Sequence, residues 1–414
     1  MAADDNRPVS IEIGPHQGNA REYVTAVYRA FGDQVRDEDV AAYAPLLELD
    51  RALTARDGER LVGTAAIVSF DLSVPGGSLP SAGVSMVGVQ PTHRRRGILR
   101  GLMRRQLDDV HERGEALACL WASEASIYQR FGYGLAALRG HFSVARDRTA
   151  FRTAHVPVGS MRLVELDEAR VLVPPIFEAL RPTIPGAFTR SPAFWESEIF
   201  FDPEHRRHGA GAAFHAVHET DGAVDGYARY RIKHEWDDRG AKSELMVSEA
   251  LGLTPGVQLD VWRYLFDIDL IGIISAWNVP ADDPLLLAVA EPRRLAFGLG
   301  DALWLRVVDV AAALAGRRYA ADGAVVIELT DEFCPWNAGR WSLESRDGTG
   351  HADRTEVLPD LELDTTDLAA VYLGGFGVGQ LLRAGRGQEL RSGAAARADG
   401  LLRGDRAPWC SSVF

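Results

Sequence analysis

The residues best suited to chemistry lie together at residues 84–98, in the stretch VSMVGVQPTHRRRGI. This stretch predicts a strand that Pro91 ends, then three arginines at residues 94–96, then Gly97 and a helix. Arginine binds phosphate oxygens with paired hydrogen bonds, and the unpaired N–H groups of a first helical turn attract anions. The spacing therefore indicates a loop that binds a ligand rich in phosphate.

An arginine cluster alone is more often a solvated surface patch than a phosphate clamp. Here an apolar strand precedes the cluster, and a helix with one apolar stripe follows it. That stripe consists of Leu99, Leu102, Met103, Leu107 and Val110. The order of strand, proline, arginines, glycine and helix favours the clamp.

A tyrosine follows the next predicted strand. Tyr128 lies in SEASIYQRFGYG, soon after the apolar run at residues 116–122. Taken alone, such a tyrosine would more often be a packing aromatic. Its place after a neighbouring strand makes it a candidate to meet a ligand held between the two strands.

A sheet must position these candidates. Residues 1–145 predict the order helix, helix, hairpin, strand, loop, helix, strand, helix, strand. This order resembles the GNAT superfamily of N-acetyltransferases, whose acetyl-coenzyme A loop has the core pattern Q/R-x-x-G-x-G/A. Residues 94–97 fit that pattern, although Leu99 stands where a small residue is usual.

Two motifs together make the resemblance more specific. RRRG and W-A-S-E-x-x-I-Y-x-R-F-G-Y-G resemble the Eis (enhanced intracellular survival) family of bacterial aminoglycoside acetyltransferases. The resemblance covers essentially the whole chain and implies an α/β (α+β) fold. The implied units are an acetyl-CoA-binding GNAT domain at residues 1–148 and a second, cofactor-free acetyltransferase-like domain at 149–290. A sterol carrier protein-like α+β domain at 291–414 follows, and its tail reaches the active site.

An internal repeat is visible without the resemblance. Residues 62–91 and 224–255 each predict a strand, a turn, a second strand and a proline, and an apolar helix follows both. The second copy has Thr254-Pro255-Gly256-Val257 where the first has its arginine loop. We infer that the second copy keeps the fold and lacks the phosphate site.

The last part of the chain predicts a small α+β domain. Residues 303–314 predict an apolar helix, and residues 323–329 predict a strand. The glycine-rich segment at residues 373–379 misses the spacing of a nucleotide-binding loop, so it predicts a turn. The tail, RAPWCSSVF, carries enough apolar residues to favour docking against the rest of the molecule.

The implied acetyl-CoA site has three parts. Backbone groups of Val87, Gly88 and Val89 would hold the pantetheine arm and polarise the thioester carbonyl. The pyrophosphate would lie against Arg95, Arg96, Gly97, Ile98, Leu99 and Arg100. In the family, cofactor contacts also lie at the positions of Ser123 and Glu124.

The resemblance also assigns two catalytic groups. Tyr128 would be the general acid, because an unperturbed tyrosine has a pKa of about 10 and stays protonated near neutrality. The α-carboxylate of Phe414 would be the general base, although a free carboxylate, with a pKa of about 3.5, needs burial or a water relay to accept a proton from an amine. Val413 stands where an acidic side chain would have strengthened the case for an aminoglycoside substrate.

Composition limits the partners. The chain has 414 residues and a formal net charge of −13, which argues against nucleic-acid binding.

Three distant cysteines predict neither a zinc site nor a disulfide framework, so we expect a reducing cytoplasm. The histidine pairs at 205/208 and 215/218 lack a third ligand with suitable spacing, so no metal is expected. Residues 1–10 lack the features of a secretory signal, and no apolar run is long enough to span a membrane.

The preferred function is acetyl transfer from acetyl-CoA to amines of aminoglycosides or other polyamines. The alternatives are a regulatory protein that senses acetyl-CoA, with an apolar partner on its last domain, and a protein-lysine acetyltransferase. The family resemblance implies a homohexamer.

Overall fold

The computed structural model describes residues 11–238 and 240–414. The predicted absence of a secretory signal concerns residues 1–10, which lie outside the described residues. The strands, in chain order, are β1 Glu12–Pro15, β2 Leu53–Asp57, β3 Arg60–Val74, β4 Gly77–Val89, β5 Leu117–Trp121, β6 Gly134–Leu135, β7 Leu138–Ala145, β8 Ser160–Val164, β9 Phe214–Thr220, β10 Ala223–Lys233, β11 Trp236–Asp237, β12 Gly240–Ala241, β13 Ser243–Gly252, β14 Ile271–Pro280, β15 Gly298–Asp301, β16 Leu303–Val307, β17 Gly323–Thr330, β18 Gly339–Arg346, β19 Thr349–Arg354, β20 Leu361–Asp364 and β21 Gln388–Glu389.

The helices connect and cover three main sheets. In chain order they are α1 Ala20–Phe31, α2 Asp37–Tyr43, α3 Ile98–Glu112, α4 Ala125–Tyr128, α5 Leu166–Leu180, α6 Pro192–Phe194, α7 Pro255–Asp267, α8 Leu285–Ala288, α9 Val310–Ala315, α10 Thr365–Tyr372, α11 Val378–Arg383 and α12 Ala394–Leu402.

The first sheet carries the arginine loop. Its strand order is β1-β2-β3-β4-β5-β16-β6. β3 and β4 form a long antiparallel hairpin, whereas β4 is parallel to β5 and is joined to it through α3. The apolar stripe of α3 is buried against this sheet, with Leu102, Met103 and Leu107 fully inaccessible to solvent. The sheet and α3 thereby fix the loop between them.

One strand of this sheet comes from far along the chain. The prediction of a helix over residues 303–314 is wrong, because Leu303–Val307 forms β16 and only Val310–Ala315 is helical. All five residues of β16 are buried between β5 and β6, so the run LWLRV lacks the alternation of a half-exposed strand. A short run without alternation does not by itself distinguish a buried strand from a helix.

The second sheet repeats the construction of the first. Its order is β15-β7-β14-β13-β10-β9-β8, with β10 and β13 antiparallel, and with β13 parallel to β14. A glycine lets the following helix approach the hairpin in both copies. A Cβ on Gly63 would lie 3.0 Å from Ile98, and one on Gly226 would lie 2.6 Å from Val257. The repeat predicted from the sequence is therefore present in the fold.

The third sheet has the order β19-β18-β17-β20-β21. Residues 373–377 of the glycine-rich segment form the turn between α10 and α11, and the last two residues of the segment begin α11. The largest apolar cluster joins all three regions, since it includes Leu72, Phe177, Leu305 and Leu401. β7 lies in the second sheet and β16 in the first, so the sheets share strands across residues 148 and 290, and those boundaries stay a prediction.

Candidate active site

A cleft begins where β4 and β5 stop pairing. The two strands are hydrogen-bonded only from Ser81 to Gly83 of β4. Further along β4 a bulge places Met86 in a left-handed conformation with φ 53°, and the Thr64 hydroxyl donates a hydrogen bond of 2.8 Å to the Met86 carbonyl. Because a bulge bends its strand, residues 85–89 present an edge to the cleft that β5 does not cover.

A cavity of about 800 Å³ lies over this edge, and we call it the donor cleft. Val87, Gly88 and Val89 line it, as the predicted acetyl-CoA contacts require. Gly88 suits its place because a Cβ there would lie 2.8 Å from the Cβ of Ala30 in α1. The backbone of β4 can therefore pair with an extended ligand in the manner of a neighbouring strand.

The loop before α3 contains two left-handed residues. Arg95 has φ 62°, and Gly97, the N-cap of α3, has φ 79°. The N–H of Gly101 donates to the Gly97 carbonyl at 3.0 Å, which is the first bond of the helical ladder. The N–H groups of residues 98–100 therefore have no partner within the helix and form an anion site at its positive end.

The three arginines of the loop have different surroundings. Arg96 lies 3.6 Å from a carboxylate oxygen of Asp57, and Arg94 donates to two main-chain carbonyls at 3.4 Å each. Arg95 is exposed, lines the donor cleft, and makes no hydrogen bond or ion pair to any residue in 11–238 or 240–414. Arg95 is thus the cation of the loop that is left to meet a phosphate.

The donor cleft brings together all the predicted acetyl-CoA contacts except Arg96. Ser123 and Glu124 lie on its opposite wall, where the chain leaves β5 for α4. Arg100 lines it too, with its guanidinium 5.3 Å from the centre of the Phe333 ring. Arg96 stays outside because Asp57 holds it away from the cleft.

Tyr128 ends α4 at the inner end of the donor cleft. Its side chain is buried and packs edge-on against Tyr133, with ring centres 6.0 Å apart. Burial, together with the nearby negative charge of Glu124, raises the pKa of Tyr128 to about 12. The hydroxyl therefore carries its proton throughout the neutral range.

A second cavity, of about 450 Å³, opens on the other side of Tyr128, and we call it the acceptor cavity. Phe31, Val87, Ser123 and Tyr128 line both cavities. The apolar wall of the acceptor cavity is formed by Val24, Val27, Val84, Met86, Trp121, Val413 and Phe414. The predicted catalytic pair, Tyr128 and Phe414, therefore lies at one cavity, and Tyr128 also reaches the donor cleft.

The C-terminal tail docks along the interior of the molecule. The Trp409 N–H donates to the Pro185 carbonyl at 2.8 Å, and its indole donates to Asn278 at 2.8 Å. Asn278 in turn donates to the carbonyls of Cys410 and Ser411, at 3.0 and 3.1 Å. The tail predicted to dock is thus tied down over several consecutive residues.

A buried guanidinium holds the last turn of the tail. Arg190 donates to the hydroxyls of Ser411 and Ser412 at 3.0 and 2.5 Å, and its side chain has no exposure to solvent. Glu249 pairs with Arg190 and also accepts a hydrogen bond of 2.9 Å from Tyr227. We call these five residues the tail clamp.

The final residue is held by aromatic rings. The ring centre of Phe414 lies 5.0 Å from that of Phe70 and 5.2 Å from that of Phe188, and both contacts are edge-on. Such packing fixes the terminal residue at the acceptor cavity.

The polar side of the acceptor cavity was not predicted from the sequence. Glu198 and Arg206 line it, although both lie far along the chain from the arginine loop and Tyr128. Arg206 pairs with Asp39 at 3.0 Å and donates to the Tyr28 hydroxyl at 3.1 Å. Burial raises the pKa of Glu198 to about 7, and the charge of Arg206 and a hydrogen bond from Tyr43 oppose this rise only in part. No sequence motif marks these residues, because only the fold brings them to Tyr128.

Two of the four histidines considered as metal ligands, His205 and His218, have carboxylate partners. His205 lies 3.1 Å from Asp39, and the buried His218 lies between Asp225 and Asp260 at 2.6 and 3.0 Å. Within residues 11–238 and 240–414, no group of three or more His, Cys, Asp or Glu could hold a metal ion. None of the helices formed by these residues is long and apolar enough to cross a membrane.

Three family models match the chain. An acetyltransferase (GNAT) domain matches residues 16–136, a second acetyltransferase (GNAT) domain matches residues 186–307, and a sterol carrier protein domain matches residues 310–411. The fold is therefore α/β (α+β), with two tandem GNAT domains followed by a sterol carrier protein-like domain.

Relatives match over nearly the whole length. The chain is 42% identical to an uncharacterized N-acetyltransferase of Streptomyces avermitilis, over 93% of this chain and 95% of the relative. It is 33% identical to N-acetyltransferase Eis of Mycobacterium tuberculosis, over 91% and 92% of the two chains. The crystal structure of Eis1 from Mycobacterium abscessus superimposes with a TM-score of 0.83 at 33% identity, covering 98% of this chain and all (100%) of that one. With this agreement in sequence and fold, the chain belongs to the Eis family of GNAT N-acetyltransferases and is an acetyl-CoA-dependent acyltransferase.

Proposed function

We propose that this enzyme transfers the acetyl group of acetyl-CoA to amines of aminoglycosides or other polyamines by direct attack of the amine. The observation that carries the proposal is the junction of the donor cleft and the acceptor cavity at Tyr128. An amine in one cavity and a thioester in the other would meet there without a covalent enzyme intermediate.

The donor cleft fits acetyl-CoA in shape and charge. Bound acetyl-CoA supplies an acetyl thioester, and residues 87–89 offer backbone groups to orient it and polarise its carbonyl. Arg95, Arg100 and the N–H groups of residues 98–100 would hold the pyrophosphate, with Ser123 and Glu124 on the facing wall. Arg96 would join them only by leaving Asp57.

The proton roles follow from the two catalytic groups. As the N–C bond forms, the amine nitrogen becomes acidic, so even a weak base such as the Phe414 carboxylate can take its proton. As the C–S bond breaks, the Tyr128 hydroxyl donates its proton to the departing sulfur. The Phe414 carboxyl then releases its proton to water and Tyr128 regains one from water, so the net transfer is one proton from nitrogen to sulfur.

The test is coenzyme A release with a panel of acceptors. We expect turnover with polyamines and aminoglycosides, and mass spectrometry should find one or more acetyl groups on the amine. Acetyl-CoA binding without release in the presence of any acceptor would favour the regulatory protein instead. Turnover with lysine-containing peptides alone would favour the protein-lysine acetyltransferase.

We further propose that the enzyme is a homohexamer in the cytoplasm, with domain boundaries near residues 148 and 290. Exposed apolar side chains on the second sheet, Ile273, Trp277 and Leu299, support subunit contacts. All three cysteines are buried and free, which suits a reducing compartment. Light scattering of the purified chain tests the assembly, and a monomer at micromolar concentration would contradict it.

A further inference from the structure

We propose that Glu198 forms a subsite for a second ammonium group of the acceptor, so that the enzyme prefers diamines and polyamines to monoamines. This inference rests on the proposed function, because it concerns the amine that enters the acceptor cavity. Glu198 would select acceptors that carry more than one ammonium group, which the apolar Val413 does not do.

The backbone around Glu198 has an unusual form. After α6, residues Trp195–Ile199 form a π-helical turn, a rare conformation that often occurs at functional sites. Trp195, Ser197 and Ile199 point into the protein, and the Ser197 hydroxyl donates a hydrogen bond of 2.6 Å to the Ala42 carbonyl. This anchoring directs Glu198 to the wall of the acceptor cavity.

The charges around Glu198 leave it without a cation of its own. Arg206, the nearby cation, is already paired with Asp39 and lies 4.9 Å from the centre of the Tyr43 ring. Among the described residues, no Lys or Arg nitrogen lies within ion-pair distance of Glu198. The other polar groups lining the cavity are Tyr28, Asp33, Tyr43, Ser85, Ser123 and Tyr128. An ammonium from the acceptor would therefore complete this side of the cavity.

The energetic reason is the cost of a largely desolvated carboxylate that has a hydrogen bond from Tyr43 but, within the described part of the chain, no ion pair at contact distance. Burial shifts Glu198 toward its neutral form, as its raised pKa shows. An ammonium that enters beside it restores the charged form and regains through attraction what it loses in hydration. The acceptor nitrogen that reacts lies at Tyr128, so the second charge lies at a distance from it, as in a diamine.

A structural role alone would give a different result. If Glu198 served only to balance Arg206, its neutral variant would lower stability and would weaken monoamines and diamines equally. Discrimination between two acceptors of the same length therefore separates a subsite from a structural carboxylate.

The experiment compares hexylamine with hexamethylenediamine. We measure kcat/KM for both in the wild type, in Glu198→Gln, and in Glu196→Gln as a matched control on the same turn. Glu196 is exposed and pairs with Arg170 at the surface. A charge-assisted hydrogen bond corresponds to about tenfold or more in binding, so we expect the wild type to prefer the diamine by at least about tenfold. In Glu198→Gln, the KM for the diamine should rise and the preference should be lost. Glu196→Gln should keep the preference.

Two results would overturn the proposal: equal kcat/KM for both amines in the wild type, or an unchanged preference in Glu198→Gln. A second measurement separates it from the proposed function. Calorimetric titration with hexamethylenediamine should show binding to the wild type and at least about tenfold weaker binding to Glu198→Gln. Binding of that kind without coenzyme A release would keep the subsite and contradict acetyl transfer, whereas equal binding by both proteins would contradict the subsite.

Discussion

At the scale of single residues, Tyr128 is placed and tuned to keep its proton. With a pKa of about 12, its hydroxyl is a weaker acid than a thiol, whose pKa is about 8.5. Full transfer to a free thiolate would therefore be uphill by about 3.5 pKa units, or about 5 kcal/mol. The proposed acid role of Tyr128 therefore requires that its oxygen regain a proton from water as it donates to the sulfur.

Replacing Tyr128 with phenylalanine should remove the proton donor and keep the packing. We expect kcat for coenzyme A release to fall by about 10²–10⁴-fold, while the KM for acetyl-CoA changes little. Tyr133→Phe is the matched control, because this buried neighbour packs on Tyr128 and its hydroxyl has no hydrogen-bond partner among the described residues. Equal kcat values in wild type and Tyr128→Phe would remove Tyr128 from the chemistry.

Arg95 should contribute more to acetyl-CoA binding than Arg96. Arg95 is unpaired and lines the donor cleft, whereas Arg96 is shared with Asp57. A lost charge-assisted contact corresponds to about tenfold, so we expect Arg95→Ala to raise the KM for acetyl-CoA by about that factor and Arg96→Ala by much less. Arg105→Ala, at an exposed site on α3, is the control. Equal effects of the first two variants would show that Arg96 leaves Asp57 when acetyl-CoA binds.

The raised pKa of Glu198 predicts how stability depends on pH. Its folded pKa is about 7 and its unfolded value 4.5, so the folded state binds the extra proton between these values. This contribution to the free energy of unfolding is complete below pH 4.5 and is lost as pH rises through 7. At about 1.4 kcal/mol per pKa unit, the loss is about 3.5 kcal/mol. Between pH 5 and pH 8, the free energy of unfolding measured with urea should decrease less in Glu198→Gln than in the wild type. An equal decrease in both proteins would contradict the assignment.

At the scale of elements, the tail is the part that completes the acceptor cavity. The tail clamp joins it to β10 and β13 of the second sheet through Tyr227 and Glu249. The second sheet therefore holds the tail, while the donor cleft lies over an edge of the first sheet.

Removing both serine hydroxyls from the clamp should loosen the tail. In Ser411→Ala/Ser412→Ala, Arg190 loses two hydrogen bonds and keeps Glu249, so we expect tail docking to weaken by about 3 kcal/mol. Carboxypeptidase should then release Phe414 faster than from the wild type. The kcat/KM for the amine acceptor should fall because the tail is less often docked. Ser392→Ala, at an exposed site, is the control. Protection of Phe414 equal to that of the wild type would show that the aromatic contacts suffice.

The elements also show what the sequence could and could not predict. The arginine loop was predictable because its strand, Pro91, Gly97 and helix are consecutive in the chain. β16 was not, because a strand buried on both faces has no alternation to distinguish it from a helix. Glu198 and Arg190 were not predictable either, since contacts between distant chain segments bring them to the first sheet and the tail.

At the scale of the whole molecule, the three regions depend on one another. β16 supplies an inner strand of the first sheet, and the last residues supply part of the acceptor cavity. The buried Arg306 of β16 pairs with Asp331 at 2.6 Å and would clash with a Cβ on Gly132, just beyond Tyr128. The third region thereby supports the segment that carries the proposed acid.

Two truncations should separate folding from site completion. A chain ending at residue 290 lacks β16, so β5 and β6 lose their shared neighbour and we expect no cooperative thermal unfolding by circular dichroism. A chain ending at residue 407 keeps all three sheets, so it should unfold cooperatively, bind acetyl-CoA, and release little coenzyme A. Cooperative unfolding of the shorter chain would contradict the shared sheet.

The most direct test of the account is the rate of coenzyme A release, with hexamethylenediamine as acceptor, by the wild type and by a chain extended by one glycine after Phe414. The added residue keeps the Phe414 ring and moves the terminal carboxylate away from its place at the end of the chain, beside the acceptor cavity. We predict turnover by the wild type, and at least about a 10²-fold lower kcat with unchanged acetyl-CoA binding in the extended chain. Equal rates in the two chains would contradict the role of the terminal carboxylate. No coenzyme A release by the wild type would contradict acetyl transfer to this amine.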